Sequence, residues 1–81
     1  MEKISVAEFF KRLTSFRKEV TFNPDVVNDE RRDALQKIKY SYLIVDQTDP
    51  KISDLVTTLF DVTVLEFELW TGLMSIKGET L

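Results

Sequence analysis

The sequence predicts a small all-α assembly of three helices, near residues 6–20, 24–46 and 50–76. Three observations carry that reading. Apolar residues recur at three- and four-residue intervals along each segment, the spacing of one helical face. Each segment opens on residues that suit a helix N-terminus. Both glycines fall near the C-terminus, too few for a fold built on several tight turns.

The first helix starts at Ser5-Val6-Ala7-Glu8, the capping-box pattern, in which hydroxyl and carboxylate satisfy each other's unpaired backbone N–H groups. Val6, Phe9, Phe10, Leu13, Phe16 and Val20 then share a face, opposite Lys11, Thr14 and Lys18.

Asn23-Pro24-Asp25 opens the second helix. Proline at a first helical position has no N–H to leave unpaired, and asparagine before it is a favoured cap. Asp25, Asp29 and Glu30 suit the positive end of the helix dipole, with Lys37 and Lys39 further on. Ala34, Leu35, Ile38, Tyr42 and Val45 share a face. Past Lys39 a second pattern competes, because Ile38, Tyr40, Tyr42 and Ile44 alternate as a half-buried strand would.

Asp49-Pro50 repeats the Asn-Pro device and opens the third helix. Ile52, Leu55, Leu59, Val62, Leu65, Leu69, Leu73 and Ile76 keep to one side of it, with Gly78 as the terminator. Here too a strand competes, since Val62, Thr63 and Val64 are β-branched and Leu65, Phe67 and Leu69 alternate with Glu66 and Glu68. The alternative architecture is therefore α+β, with strands near 38–46 and 61–71. The helical reading is preferred because the Asn/Asp/Pro clusters serve better as helix starts than as strand turns. The second and third helices are similar in length and joined by Gln47-Thr48-Asp49, which predicts an antiparallel hairpin with the first helix packed across it.

Composition limits the function. Eighty-one residues make one domain, 1–81. The chain has no cysteine and no histidine, which excludes disulfide frameworks, zinc fingers, thiol nucleophiles and histidine relays. No P-loop, dinucleotide fingerprint, nucleophile elbow or metal-ligand cluster occurs, so neither an enzyme nor a cofactor is expected. No apolar run is long enough to span a membrane, and the charged start Met1-Glu2-Lys3 is unlike a secretory signal; a cytoplasmic setting is expected. Charge is unevenly spread. Residues 1–40 carry nine basic and seven acidic groups, and residues 41–81 carry two and seven.

The third helix has a second apolar face, formed by Val56, Phe60, Val64, Phe67 and Met74. A helix apolar nearly all round must be covered on most sides, and two short helices cover both faces only with difficulty. The second face, with Trp70 as an anchor, is therefore the expected protein interface, unless the first helix folds over it and makes it core. Glu66 falls inside the first row, where its carboxylate either reaches solvent at the edge or pairs with Lys or Arg on a neighbouring helix.

The expected function is a non-enzymatic protein–protein interaction module: an assembly factor, structural subunit, adaptor or proteinaceous inhibitor. Its partner would be protein, as a homo-oligomer or in a larger complex. The alternative is a small dimeric nucleic-acid-associated regulator that sets Arg31-Arg32 on phosphates. Asp29, Glu30 and Asp33 lie within a turn of those arginines, and a pI near 4.8 disfavours nucleic acid.

Overall fold

A computed structural model of the chain describes residues 2–74, with the backbone alone for 73 and 74. The fold is all-α. Helices α1 (Val6–Phe16), α2 (Asn28–Leu43) and α3 (Pro50–Met74) follow in order, and α1 runs on into a π-helical segment, Arg17–Thr21. Ile76 and Gly78 lie outside the described residues.

Ser5 caps α1 as its position in the sequence requires. Its hydroxyl accepts from the Glu8 N–H at 3.0 Å. The return half of the box is replaced, because the Glu8 carboxylate turns to Arg12 Nε, 3.0 Å away and one turn further on. Ser5→Ala is expected to cost about 1 kcal/mol, read by urea denaturation.

Helix α2 begins at Asn28, four residues after Pro24, and Val27 caps it with no side-chain bond. The reason lies in competing contacts. The Asn23 side chain accepts from Asp25 N–H at 2.9 Å, a local turn, and its amide donates to the Glu19 carbonyl at 3.3 Å. Arg31 then fixes the turn from inside. Its guanidinium donates to the carbonyls of Val20 (3.2 Å), Asn23 (2.6 Å) and Val26 (3.0 Å). One side chain thus satisfies the end of the π segment and the start of α2 together.

The conflict at the end of α2 resolves simply. The helix stops at Leu43, and Ile44 and Val45 leave it as extended chain and enter the core. Ile4 pairs with this segment, donating to the Ile44 carbonyl at 3.0 Å and accepting from Asp46 N–H at 2.9 Å. That single parallel bridge is the only β pairing among the described residues, and residues 61–71 are helical.

Helix α3 starts at Asp49-Pro50 as expected: the Asp49 carboxylate accepts from Lys51 N–H at 2.9 Å, and its carbonyl from Ser53 N–H at 2.8 Å. Twenty-five residues carry it about 37 Å.

The helices do not pack as an α2–α3 hairpin. Helix α1 with its π extension is the common neighbour of both. Helix α2 reaches α3 through Tyr42, whose ring stacks on Phe60 (4.3 Å, 7°) and whose hydroxyl lies 2.9 Å from that of Thr57. Phe9, fully buried, is the hub, with ring centroids 6.4, 6.1 and 6.4 Å from Phe10, Tyr42 and Phe60. Two turns along, Phe16 packs on Phe67 at 5.5 Å. Ile4, Leu13, Ile38, Ile44, Val45 and Val56 complete the core. The molecule is long, 46 × 22 × 16 Å, because α3 has only one layer of helix against it.

Candidate functional site

Contact with α1 decides which side of α3 is covered. Phe9 and Phe16, seven residues apart, meet Phe60 and Phe67, also seven apart, so α1 lies along α3 over two turns. That contact covers the aromatic face. Val56 and Phe67 are buried, and Phe60, Val64 and Trp70 are half-buried. Of these residues, expected at an interface, Val56 and Phe67 belong to the core and Phe60 packs against it, while Val64 and Trp70 keep part of their surface open. Met74 lies outside the described side chains.

The opposite row is the one left open. Ile52, Leu55, Leu59, Val62, Leu65 and Leu69 are 36–61% exposed. The two faces of α3 therefore differ: the aromatic face supplies Val56 and Phe67 to the core, and the aliphatic row meets solvent. Aromatic rings present more area than aliphatic chains, and stacking against Phe9, Phe16 and Tyr42 favours their burial further. The matched seven-residue spacing of Phe9/Phe16 and Phe60/Phe67 was the available signal.

A groove of about 300 Å³ runs along the open row where it borders α1. Phe10, Leu13, Thr14 and Arg17 form its α1 wall, and Leu59, Val62, Thr63 and Glu66 its α3 wall. Glu66 takes the pairing role. Arg17 Nε and Nη2 meet its two carboxylate oxygens at 2.8 and 3.0 Å, a bidentate fork between helices. The charge inside the apolar row thereby has a partner on α1, in a pair that stays open to solvent. Arg17 also sits over the Phe22 ring, 5.7 Å from its centroid, and Phe22 meets the Trp70 ring edge-on at 5.7 Å. Trp70 Nε1 and the fully buried Thr21 Oγ1 have no hydrogen-bond partner among the described residues.

The π segment makes this cluster possible. Phe22 N–H donates to the Arg17 carbonyl at 2.9 Å, a five-residue step that widens the helix. Thr21 turns inward, and Arg17 faces α3. Nothing in the sequence forecasts it beyond the β-branched pair Val20-Thr21.

On the other side of α1, a second groove of about 430 Å³ lies against α2. Phe16, Val20, Ala34 and Ile38 line it, with Lys11, Arg12 and Lys37 facing Glu8 and Glu19. Its charges are mixed, and Arg12 is committed to Glu8 and to Ser41, 2.9 Å away. The Arg31-Arg32 pair does not present two cations to a phosphate. Arg31 is buried with its donors on three carbonyls, and Arg32 pairs with Asp29 at 2.7 Å.

Among the described residues no cluster of potential metal ligands occurs, and no helix is long and apolar enough to cross a membrane. No known family model matches this chain, and no curated protein or solved structure is significantly similar to it.

Proposed function

We propose that this protein is a non-enzymatic protein–protein interaction module, which binds through the aliphatic row of α3 rather than through its aromatic face. One observation carries the reading: six large apolar side chains along one side of a single helix are exposed together. Isolated exposed leucines are ordinary, but a continuous apolar strip is a feature of binding surfaces. Burial of such a strip by a partner contributes about 25 cal/mol per Å² of apolar area removed from water. Assembly factor, structural subunit, adaptor and proteinaceous inhibitor all remain forms of this activity.

The test is position-specific crosslinking in the cell that makes the protein. A photoreactive residue at Leu59, Val62 or Leu69 is expected to capture protein, whereas the same residue at exposed Gln36 or Lys39 on α2 is not. Equal capture at the two sets, or none at the row, would contradict the proposal. A substitution pair separates the two faces. Val62→Lys is expected to abolish capture from Leu59 and leave the melting temperature within about 2 °C, because the site is exposed. Phe67→Lys buries an unpaired charge and is expected to unfold the chain.

A further inference from the structure

The open row of α3 matches itself when the helix is reversed. Ile52, Leu55, Leu59, Val62, Glu66 and Leu69 follow one another by alternate steps of three and four, the seam of a helix that takes another helix alongside. Two copies set antiparallel about a two-fold axis between Leu59 and Val62 bring seam onto seam. Leu59 of one copy falls opposite Val62 of the other, Leu55 opposite Glu66, and Ile52 opposite Leu69. One edge of the seam is closed, because Val56 and Thr63 are buried within the chain. The free edge is Lys51, Thr58, Leu65 and Gly72, all exposed. In the antiparallel pair Leu65 opposes Thr58 and Lys51 opposes Gly72, a large side chain against a small one each time. A Cβ at Gly72 would meet nothing within 4 Å, so a lysine stem has room to lie over it. Asp54, Asp61 and Glu68 lie further round the helix, turned away from the seam, and the pairing brings none of them together.

Area sets the scale. The six exposed side chains of the row leave about 500 Å² of each chain uncovered, so a pair that covers both rows buries about 1000 Å², the size at which specific interfaces begin.

We propose that the row seats a second copy of this chain, with the two α3 helices antiparallel. This rests on the interaction reading above and names the partner. The single carboxylate of the seam sets the direction. In a parallel two-fold pair Glu66 meets its own symmetry mate, whereas in the antiparallel pair it faces Leu55 and keeps Arg17 of its own chain as partner. The seam, about 26 Å long, is continuous with the groove beside Phe10 and Leu13, which the leucines of the second copy would fill.

The experiment uses the full chain. Sedimentation velocity is expected to show monomer giving way to dimer over the micromolar range. Val62→Glu places a charge at the axis and is expected to raise the dissociation constant at least about tenfold, with helicity unchanged by circular dichroism. Leu69→Lys, at the end of the seam, gives the same readout should Val62→Glu unfold. Asp61→Asn, on the side turned away, is expected to leave the dissociation constant within about twofold. Direction is read by disulfide formation, since the chain has no cysteine. Leu59→Cys and Val62→Cys chains, carrying tags of different size, are mixed and mildly oxidised. The mixed 59–62 disulfide is expected to form well ahead of 59–59 and 62–62.

A chain that stays monomeric at hundreds of micromolar would overturn the inference, as would a dimer that neither Val62→Glu nor Leu69→Lys weakens. Like-with-like disulfides formed ahead of the mixed one would overturn the antiparallel pairing. Those outcomes leave the interaction reading standing, with another protein as the occupant. That reading falls as well if the chain stays monomeric and the row captures no protein in the crosslinking experiment.

Discussion

Phe9→Ala is expected to destabilise the fold by about 4 kcal/mol and to lower its melting temperature by roughly 20 °C. The ring is fully buried and touches Phe10, Tyr42 and Phe60, so it joins all three helices at one point. Its removal loses the transfer free energy of the ring and leaves a cavity that three rigid helix contacts cannot close. An 81-residue domain has a total stability of only about 4–12 kcal/mol, so much of the population would unfold near physiological temperature. Phe10→Ala is the comparison, because Phe10 lies beside Phe9 but is only partly buried; its cost is expected to be clearly smaller. Equal costs for the two would show that Phe9 is not the hub. Thermal and urea unfolding followed by circular dichroism read both.

Arg31→Met is expected to cost about 3 kcal/mol, a large effect for a charged residue near a turn. The methionine keeps much of the stem's packing but leaves the carbonyls of Val20, Asn23 and Val26 without their common donor. Those groups end the π segment and begin α2, so the loss falls on the junction between two elements. Arg31→Lys is expected to recover little, because one ammonium cannot reproduce a planar fork aimed at three carbonyls. Arg32→Ala is the matched control. It removes an exposed pair with Asp29 and is expected to cost under about 0.5 kcal/mol. Hydrogen exchange should localise the damage to residues around 20–31. If Arg31→Met costs no more than Arg32→Ala, the buried guanidinium does not hold the junction.

The parts of the fold that are local were legible in the sequence. Ser5 and Asp49-Pro50 mark helix starts because capping depends on residues within one turn, and both start where the caps place them. The start of α2 was not legible from Asn23-Pro24. Its position depends on Arg31, eight residues from the Asn23 carbonyl that it holds, and that competition is tertiary. The α2–α3 hairpin was inferred from matched lengths and a short connection, yet lengths say nothing about α1 coming between. On α3 the two apolar rows were both visible, but which of them the rest of the chain covers was not. The periodicity of one helix cannot say which side a neighbour takes. That needed the aromatic spacing of α1 and α3 to be compared, Phe9 and Phe16 against Phe60 and Phe67. For Glu66 the sequence favoured a carboxylate reaching solvent over an ion pair with a neighbouring helix; the pair forms with Arg17, which is oriented by a π turn whose one sequence hint is the β-branched pair Val20-Thr21.

Thiol labelling tests most directly which side of α3 a single chain leaves open, since the protein has no cysteine of its own. Val62→Cys and Leu69→Cys would sit on the exposed row; Val56→Cys and Thr63→Cys would sit on the covered side. In dilute solution, the first pair should react with a maleimide at nearly the rate of a free thiol, and the second pair only as fast as the fold opens. Rapid reaction at positions 56 and 63 together with protection at 62 and 69 would reverse the faces and remove the basis for a binding surface on the aliphatic row.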